Sequence, residues 1–199
     1  MISVTELWLP ILLSAVFVFI ASSIFHMVIP IHKGDFKKMP GEEKILAEMR
    51  AQGVQPGSYG FPMCESMKDM GSPEMVAKCN LGPVGCVTVK PNGPCRMGAS
   101  LILWFIYSLV IGEIVALAAG PVLHRGASFA NVFHVTALAA VLGYAMGAFP
   151  DSIWKGQKWS ITLKFVFDGV LYGITTGATR SLPITSGGRS SLGRSCAFR

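Results

Sequence analysis

Five ionisable side chains sit inside stretches that are otherwise apolar: His26, Glu113, His134, Lys164 and Asp168. If those stretches cross a bilayer, each such group is a candidate for a proton relay, an ion path or a ligand site, because an ionisable residue in hydrocarbon is too costly to be incidental. At 1.5 Å of rise per residue, Glu113 and His134 both fall roughly 8 to 10 Å below one membrane face, while His26, Lys164 and Asp168 all lie towards the other. The pattern is two polar layers in a small bundle. A glutamate and a histidine at one depth can pass protons, hold a metal or simply fasten two helices with a hydrogen bond, and the fastener is the commoner use. Lys164 and Asp168 stand at i and i+4, where opposite charges on a helix can pair. Pairing offsets part of a cost of about 2.5 to 3.5 kcal/mol for each charge at mid-bilayer. A bis-histidine haem needs imidazoles about 4 Å apart across the iron. His26 and His134 differ in depth by more than about 15 Å, which leaves at most a single axial histidine for a haem or chlorophyll.

Sulfur supplies a second candidate set, Met63, Cys64, Met67, Met70 and Cys79, with Met75 among them and Cys86 and Cys95 beyond. Thioethers and thiolates favour Cu(I), and four thiolates suit zinc. The cysteine spacing, C-x14-C-x6-C-x8-C, contains no C-x2-C knuckle, so the zinc signal is weak. Methionines that pack against a bilayer surface or a partner account for the same residues. The chain has no Walker loop, GxSxG, HExxH or dinucleotide fingerprint. Nothing in the sequence therefore specifies an enzyme, and nothing names a cofactor. The formal charge of +6 is spread over loops and tail, so it leaves no footprint for nucleic acid.

The elements that must position these residues are membrane helices. Of 199 residues, 51% are hydrophobic and only 14% charged, and the mean hydropathy is +0.51 despite a long polar insert. Leu7 to Ile31, Gly98 to Leu123 and Ala127 to Phe149 each reach the roughly 20 apolar residues that a crossing requires. Trp159 to Thr179 is a fourth and weaker block, since Lys164 and Asp168 lie inside it. The expected fold is all-α: an integral membrane bundle of four transmembrane helices with one polar segment of about 65 residues between the first two. In domain terms these are a first helix over 1–31, a polar extramembrane segment over 32–97, a three-helix region over 98–180 and a disordered tail over 181–199. The first block lacks a basic n-region and a small-x-small cleavage site, so it reads as a retained span rather than a signal peptide.

Gly169, Gly173 and Gly177 recur every four residues on the fourth block, and Gly143 and Gly147 do so on the third. Such stripes let helix backbones approach closely, against another span of the chain or another subunit. Within the polar segment, Gly41 to Gln52 has acids early, an arginine late and apolar residues at helical spacing, which predicts a short surface helix. Ser72-Pro73-Glu74 marks a helix start and Asn80-Leu81-Gly82 a stop. Val84 to Val89 reads as one strand, and the remaining Gly- and Pro-rich stretches as loops. Trp8, Trp154 and Trp159 fall at span ends, as an aromatic belt requires. Lys33, Lys37, Lys38, Lys44, Lys90 and Arg96 flank the membrane on the polar-segment side, joined by Lys155 and Lys158. The positive-inside bias places these loops in the cytoplasm and both termini outside.

The SSIFHMVIPIHKGDFKKMPGEE junction, FPMCESMKDMGSPEM, GPVG and DSIWKGQKWS resemble an uncharacterised family of bacterial multi-pass inner-membrane proteins. The resemblance reaches to about Thr179 and implies a multi-pass bacterial protein whose polar segment belongs to the same unit. It brings no activity or site residues with it. The sequence reads foremost as a non-enzymatic structural or accessory subunit, whose partners are the bilayer and other membrane subunits or further copies of itself. A transporter or channel component using the intramembrane polar residues is the alternative. Copper or haem handling through the Met/Cys loop and the membrane histidines is a third reading.

Overall fold

A computed structural model describes residues 7–94, 96–124 and 126–182 of the chain. It is mostly helical, and three of its helices are long and apolar enough to cross a membrane: Trp8–Val28, Met97–Ala119 and Phe129–Lys155. The chain divides into two compact units, Met1–His32 with Met97–Ala148 and Leu163–Arg199, and Lys33–Arg96 with Phe149–Thr162.

The first unit is a helical bundle built from α1 (Trp8–Ser23), α4 (Met97–Ala119), α5 (Phe129–Ala145) and most of α7 (Trp159–Arg180). Its interior sets small and polar residues beside Val18, Ile111 and Val115. Ser14, Ser22, Ser108, Thr136, Asp168, Thr176, Thr179 and Arg180 are buried, whereas Phe17, Ile20, Ile102, Leu103, Ile114, Leu117, Leu138, Leu142, Leu163 and Phe167 face outwards. Small and polar groups inside with large apolar groups outside is the arrangement expected where the solvent is lipid. The buried hydroxyls bond within the bundle: Ser14 donates to the carbonyl of Ile11, Ser108 to Trp104 and Thr176 to Tyr172.

Close approach within the bundle rests on the glycines. A Cβ on Gly169 would stand 2.7 Å from the Cα of Ala145, one on Gly173 2.9 Å from the backbone nitrogen of Val141, and one on Gly177 2.7 Å from the Cβ of Ala137. The stripe on α7 is thus occupied by α5 of the same chain. Gly143 faces α4, where a Cβ would lie 2.9 Å from Ile111 Cδ1, and Gly147 faces open space. Polar side chains add to the seam between α1 and α4, where Trp104 Nε1 donates to Ser22 Oγ at 2.9 Å.

In the second unit, α2 (Glu42–Ala51) and α3 (Pro73–Leu81) fall where acids, caps and proline predict them. Ser72 caps α3 by accepting from the backbone nitrogen of Met75, Pro73 takes the first turn, and Gly82 ends the helix at a positive φ. The expected strand is β2 (Gly85–Val89). It pairs antiparallel with β1 (Gly57–Phe61), a stretch that its glycines had marked as loop. The short loop expected after Phe149 is partly helical instead: α6 (Phe149–Lys155) starts with Pro150 in its first turn, where no backbone N–H is needed, and is braced by the Asp151–Lys155 pair at 2.7 Å. The tail expected to be disordered lies, from residue 183, outside the described residues.

Candidate functional site

The first apolar block does not run straight to Ile31. After Ser23 the helix widens into one π turn, Ile24–Val28, closed by the backbone nitrogen of Ile29 donating to the carbonyl of Ile24 at 2.9 Å. Pro30 has no N–H to continue the ladder and forces the residue before it into an extended conformation, and Ile29 is extended accordingly. A short 3-10 turn, Pro30–His32, follows. This break is what joins the two histidines: the rings of His26 and His32 stack with centroids 4.5 Å apart and 13° between their planes. Single π turns inside helices are often found at functional sites.

Both imidazoles face Asp168 of α7. His32 Nε2 lies 2.8 Å from Asp168 Oδ2, and His26 Nε2 lies 3.8 Å from the same oxygen. Asp168 is only 1% exposed, and its Oδ1 is buried without a hydrogen-bond partner among the described residues. Phe165 packs beside both rings, 5.1 Å from His32 and 6.5 Å from His26. Lys164, one turn before Asp168, donates from Nζ to the carbonyl of Ile31 at 2.8 Å. That bond anchors the backbone next to His32 to α7. On the other side of His26, Nδ1 lies 3.1 Å from the carbonyl of Ser22. A carbonyl only accepts, so Nδ1 carries the proton and Nε2 is the nitrogen turned to the carboxylate.

Asp168 also opens a polar line along α7. Tyr172, Thr176 and Arg180 follow it at successive i+4 positions on the same face, and all are buried. Tyr172 stands amid the rings of Trp104 and Tyr144, at 5.7 and 5.6 Å. At the far end, Arg180 Nη2 donates to the carbonyl of Gly112 at 2.7 Å, and its charge attracts that of Glu113 on α4.

The remaining sequence candidates scatter. Glu113 is half-buried and His134 is exposed, its ring against Phe133. Among the described residues no hydrogen bond joins the two, although they share a depth. Equal depth does not place two side chains on facing sides of their helices, and here it does not. In the second unit, Met63, Met67 and Met70 are exposed. Cys64, Cys79 and Cys86 are free thiols, and Cys95 lies outside the described residues. Among the described residues, the cluster of metal-ligating groups is His26, His32 and Asp168, whose donor atoms all lie within 4.8 Å of one another. None of the described cysteines belongs to it.

His32 and Arg180 were not singled out by sequence reasoning, because one was read as the start of the polar segment and the other as the last residue before the tail, just past the fourth apolar block. The signal for His32 was present: a second histidine just past Pro30, next to a layer that already held His26, Lys164 and Asp168.

Compared with known protein families, curated proteins and solved structures, the chain matches none. The reading of the site rests on its own chemistry.

Proposed function

We propose that the chain is a four-span protein of the bacterial inner membrane that handles protons or small cations at the His26–His32–Asp168 site, as a component of a transport or channel system. The observation that carries this reading is the burial of Asp168, 1% exposed, against two imidazoles recruited from the broken end of another helix. A buried carboxylate held by titratable partners where a membrane helix breaks is an arrangement by which membrane proteins bind and release cations. Treating α7 as the fourth span is supported by its 22 residues and by the inward direction of its polar face. Lys164 and Asp168 lower its mean hydropathy without facing lipid. The lysine-rich loops are proposed to be cytoplasmic and the termini outside.

The test is uptake of protons or alkali cations into liposomes containing the purified chain. Asp168→Asn keeps the size of the side chain and a hydrogen bond to His32 but carries no charge, so uptake should be abolished while the protein stays folded. Uptake unchanged in Asp168→Asn would remove the proposal. Orientation is checked separately by an impermeant thiol reagent applied to intact cells, which should spare Cys64 and Cys79.

The accessory-subunit reading keeps one observation in its favour, the exposed methionines 63, 67 and 70, since flexible thioethers suit a docking surface. Its other motive is weaker: the glycine stripe of α7 is already filled from within the chain.

A further inference from the structure

We propose that His26, His32 and Asp168 form a binding site for one divalent first-row transition metal ion of the zinc class. This rests on the ion-handling reading above and names the ion for that site. Two imidazole nitrogens and a carboxylate oxygen are the donors that zinc, cobalt and ferrous iron accept, whereas the hard cations magnesium and calcium prefer all-oxygen sites and Cu(I) prefers sulfur.

Four features of the site support a metal rather than a plain ion pair. The first is spacing. With bonds of about 2.0 to 2.1 Å, donors sharing a tetrahedral ion stand roughly 3.3 Å apart. The separations of 2.8 and 3.8 Å from Asp168 Oδ2 bracket that value, and no donor pair exceeds 4.8 Å. The second is tautomer. The carbonyl of Ser22 accepts from Nδ1 of His26, which leaves Nε2, on the side of the carboxylate, as the nitrogen available to a metal ion. The backbone carbonyl behind the ring is the outer partner that metal-binding histidines usually have.

The third feature is the spare oxygen. Asp168 Oδ1, buried and without a hydrogen-bond partner among the described residues, can complete a bidentate carboxylate. The fourth is access, because the side chain of His26 is 40% exposed and leaves one side of the site open for exchange. On binding, the ion takes the place of the proton between His32 Nε2 and Asp168 Oδ2; that proton leaves to solvent from a doubly protonated ring or moves to Nδ1 of a singly protonated one, so that His32 binds as neutral imidazole. Lys164 is the opposing influence, a cation one turn away, but its ammonium is directed to the carbonyl of Ile31. There it positions the backbone beside His32.

The full-length chain, purified in detergent, stripped with EDTA and dialysed against zinc buffered in the micromolar range, should retain one zinc per chain. Cobalt loading should give a visible d–d absorption band, and binding should weaken as the pH falls, since protons compete for the imidazoles. His32→Ala and Asp168→Asn should each weaken zinc binding by more than about tenfold, the least that losing even an outer partner usually costs. Should either fail to elute as a single folded species, His26→Gln, at the exposed edge, carries the same test. Cys64→Ser with Cys79→Ser should leave the zinc content unchanged. No zinc in the wild type, or one zinc per chain that survives both His26→Gln and His32→Ala, would overturn the proposal. Asp168-dependent proton uptake by a chain that binds no zinc would overturn the metal assignment alone. Zinc bound at the site without any cation uptake would uphold it and remove the transport reading instead.

Discussion

The bundle interior and the polar segment Lys33–Arg96 both contain residues able to bind metal or carry charge, yet among the described residues the His, Cys, Asp and Glu groups that converge are in the bundle. In the bundle, His26, His32 and Asp168 come from two chain regions more than 130 residues apart, and α1, α7 and the Pro30 turn hold them within 4.8 Å. In the segment, α2, α3 and the β1–β2 pair bury none of the described sulfur side chains deeply. Residue type alone predicts chemistry equally for the two regions. The difference is that a buried polar group must find partners in order to be buried at all, whereas an exposed methionine or cysteine is satisfied by its surroundings and need not converge on anything.

The change expected to hurt the bundle most is Gly173→Leu. Its Cβ would meet the backbone nitrogen of Val141 at 2.9 Å and the carbonyl of Ala137 at 3.1 Å, and backbone cannot swing aside as a side chain does. The cost should reach or exceed the roughly 1 to 3 kcal/mol of overpacking, read as loss of most monodisperse protein in detergent. Gly147→Leu, facing open space, should stay within about 0.5 kcal/mol of the wild type. Equal losses for the two would mean that the α5–α7 seam is not where the glycines act.

Asp168→Ala should come next, at about 1 to 3 kcal/mol, because it strips the buried partner from His32. Asp168→Asn should recover much of that loss in thermal unfolding, as the amide still reaches the ring. In the segment, Ser72→Ala removes the cap of α3 and should cost about 1 kcal/mol, seen as faster amide exchange confined to Pro73–Leu81. Spread of that exchange into the bundle helices would contradict the separation of the two units. The smallest effect is expected for Trp104→Phe, which loses one interhelical hydrogen bond to Ser22, worth about 0.6 kcal/mol inside a membrane protein.

Much of this was legible in the sequence, for identifiable reasons. The three long apolar helices follow from composition, a close helix approach along α7 (though not its partner α5) from glycines four residues apart, and α3 from Ser72, Pro73 and Gly82. The polar layer of His26, Lys164 and Asp168 followed from rise per residue, since depth along a helix depends only on position in the chain. The direction a side chain faces depends on packing, which is why Glu113 and His134 share a depth without a hydrogen bond. His32 escaped because its place depends on a helix widening into a π turn and then breaking at Pro30. The first strand escaped because Gly-Ser-Tyr-Gly-Phe has no alternating pattern and becomes a strand only through β2.

The central claim is that cation chemistry belongs to the bundle and not to the sulfur-bearing segment. It is tested by measuring cation uptake into liposomes for two multi-site variants side by side. One carries His26→Gln, His32→Gln and Asp168→Asn. The other carries leucine at positions 63, 67 and 70 and serine at positions 64 and 79. The account predicts that the first loses uptake while remaining folded and that the second retains the wild-type rate. Uptake kept by the first and lost by the second would contradict it.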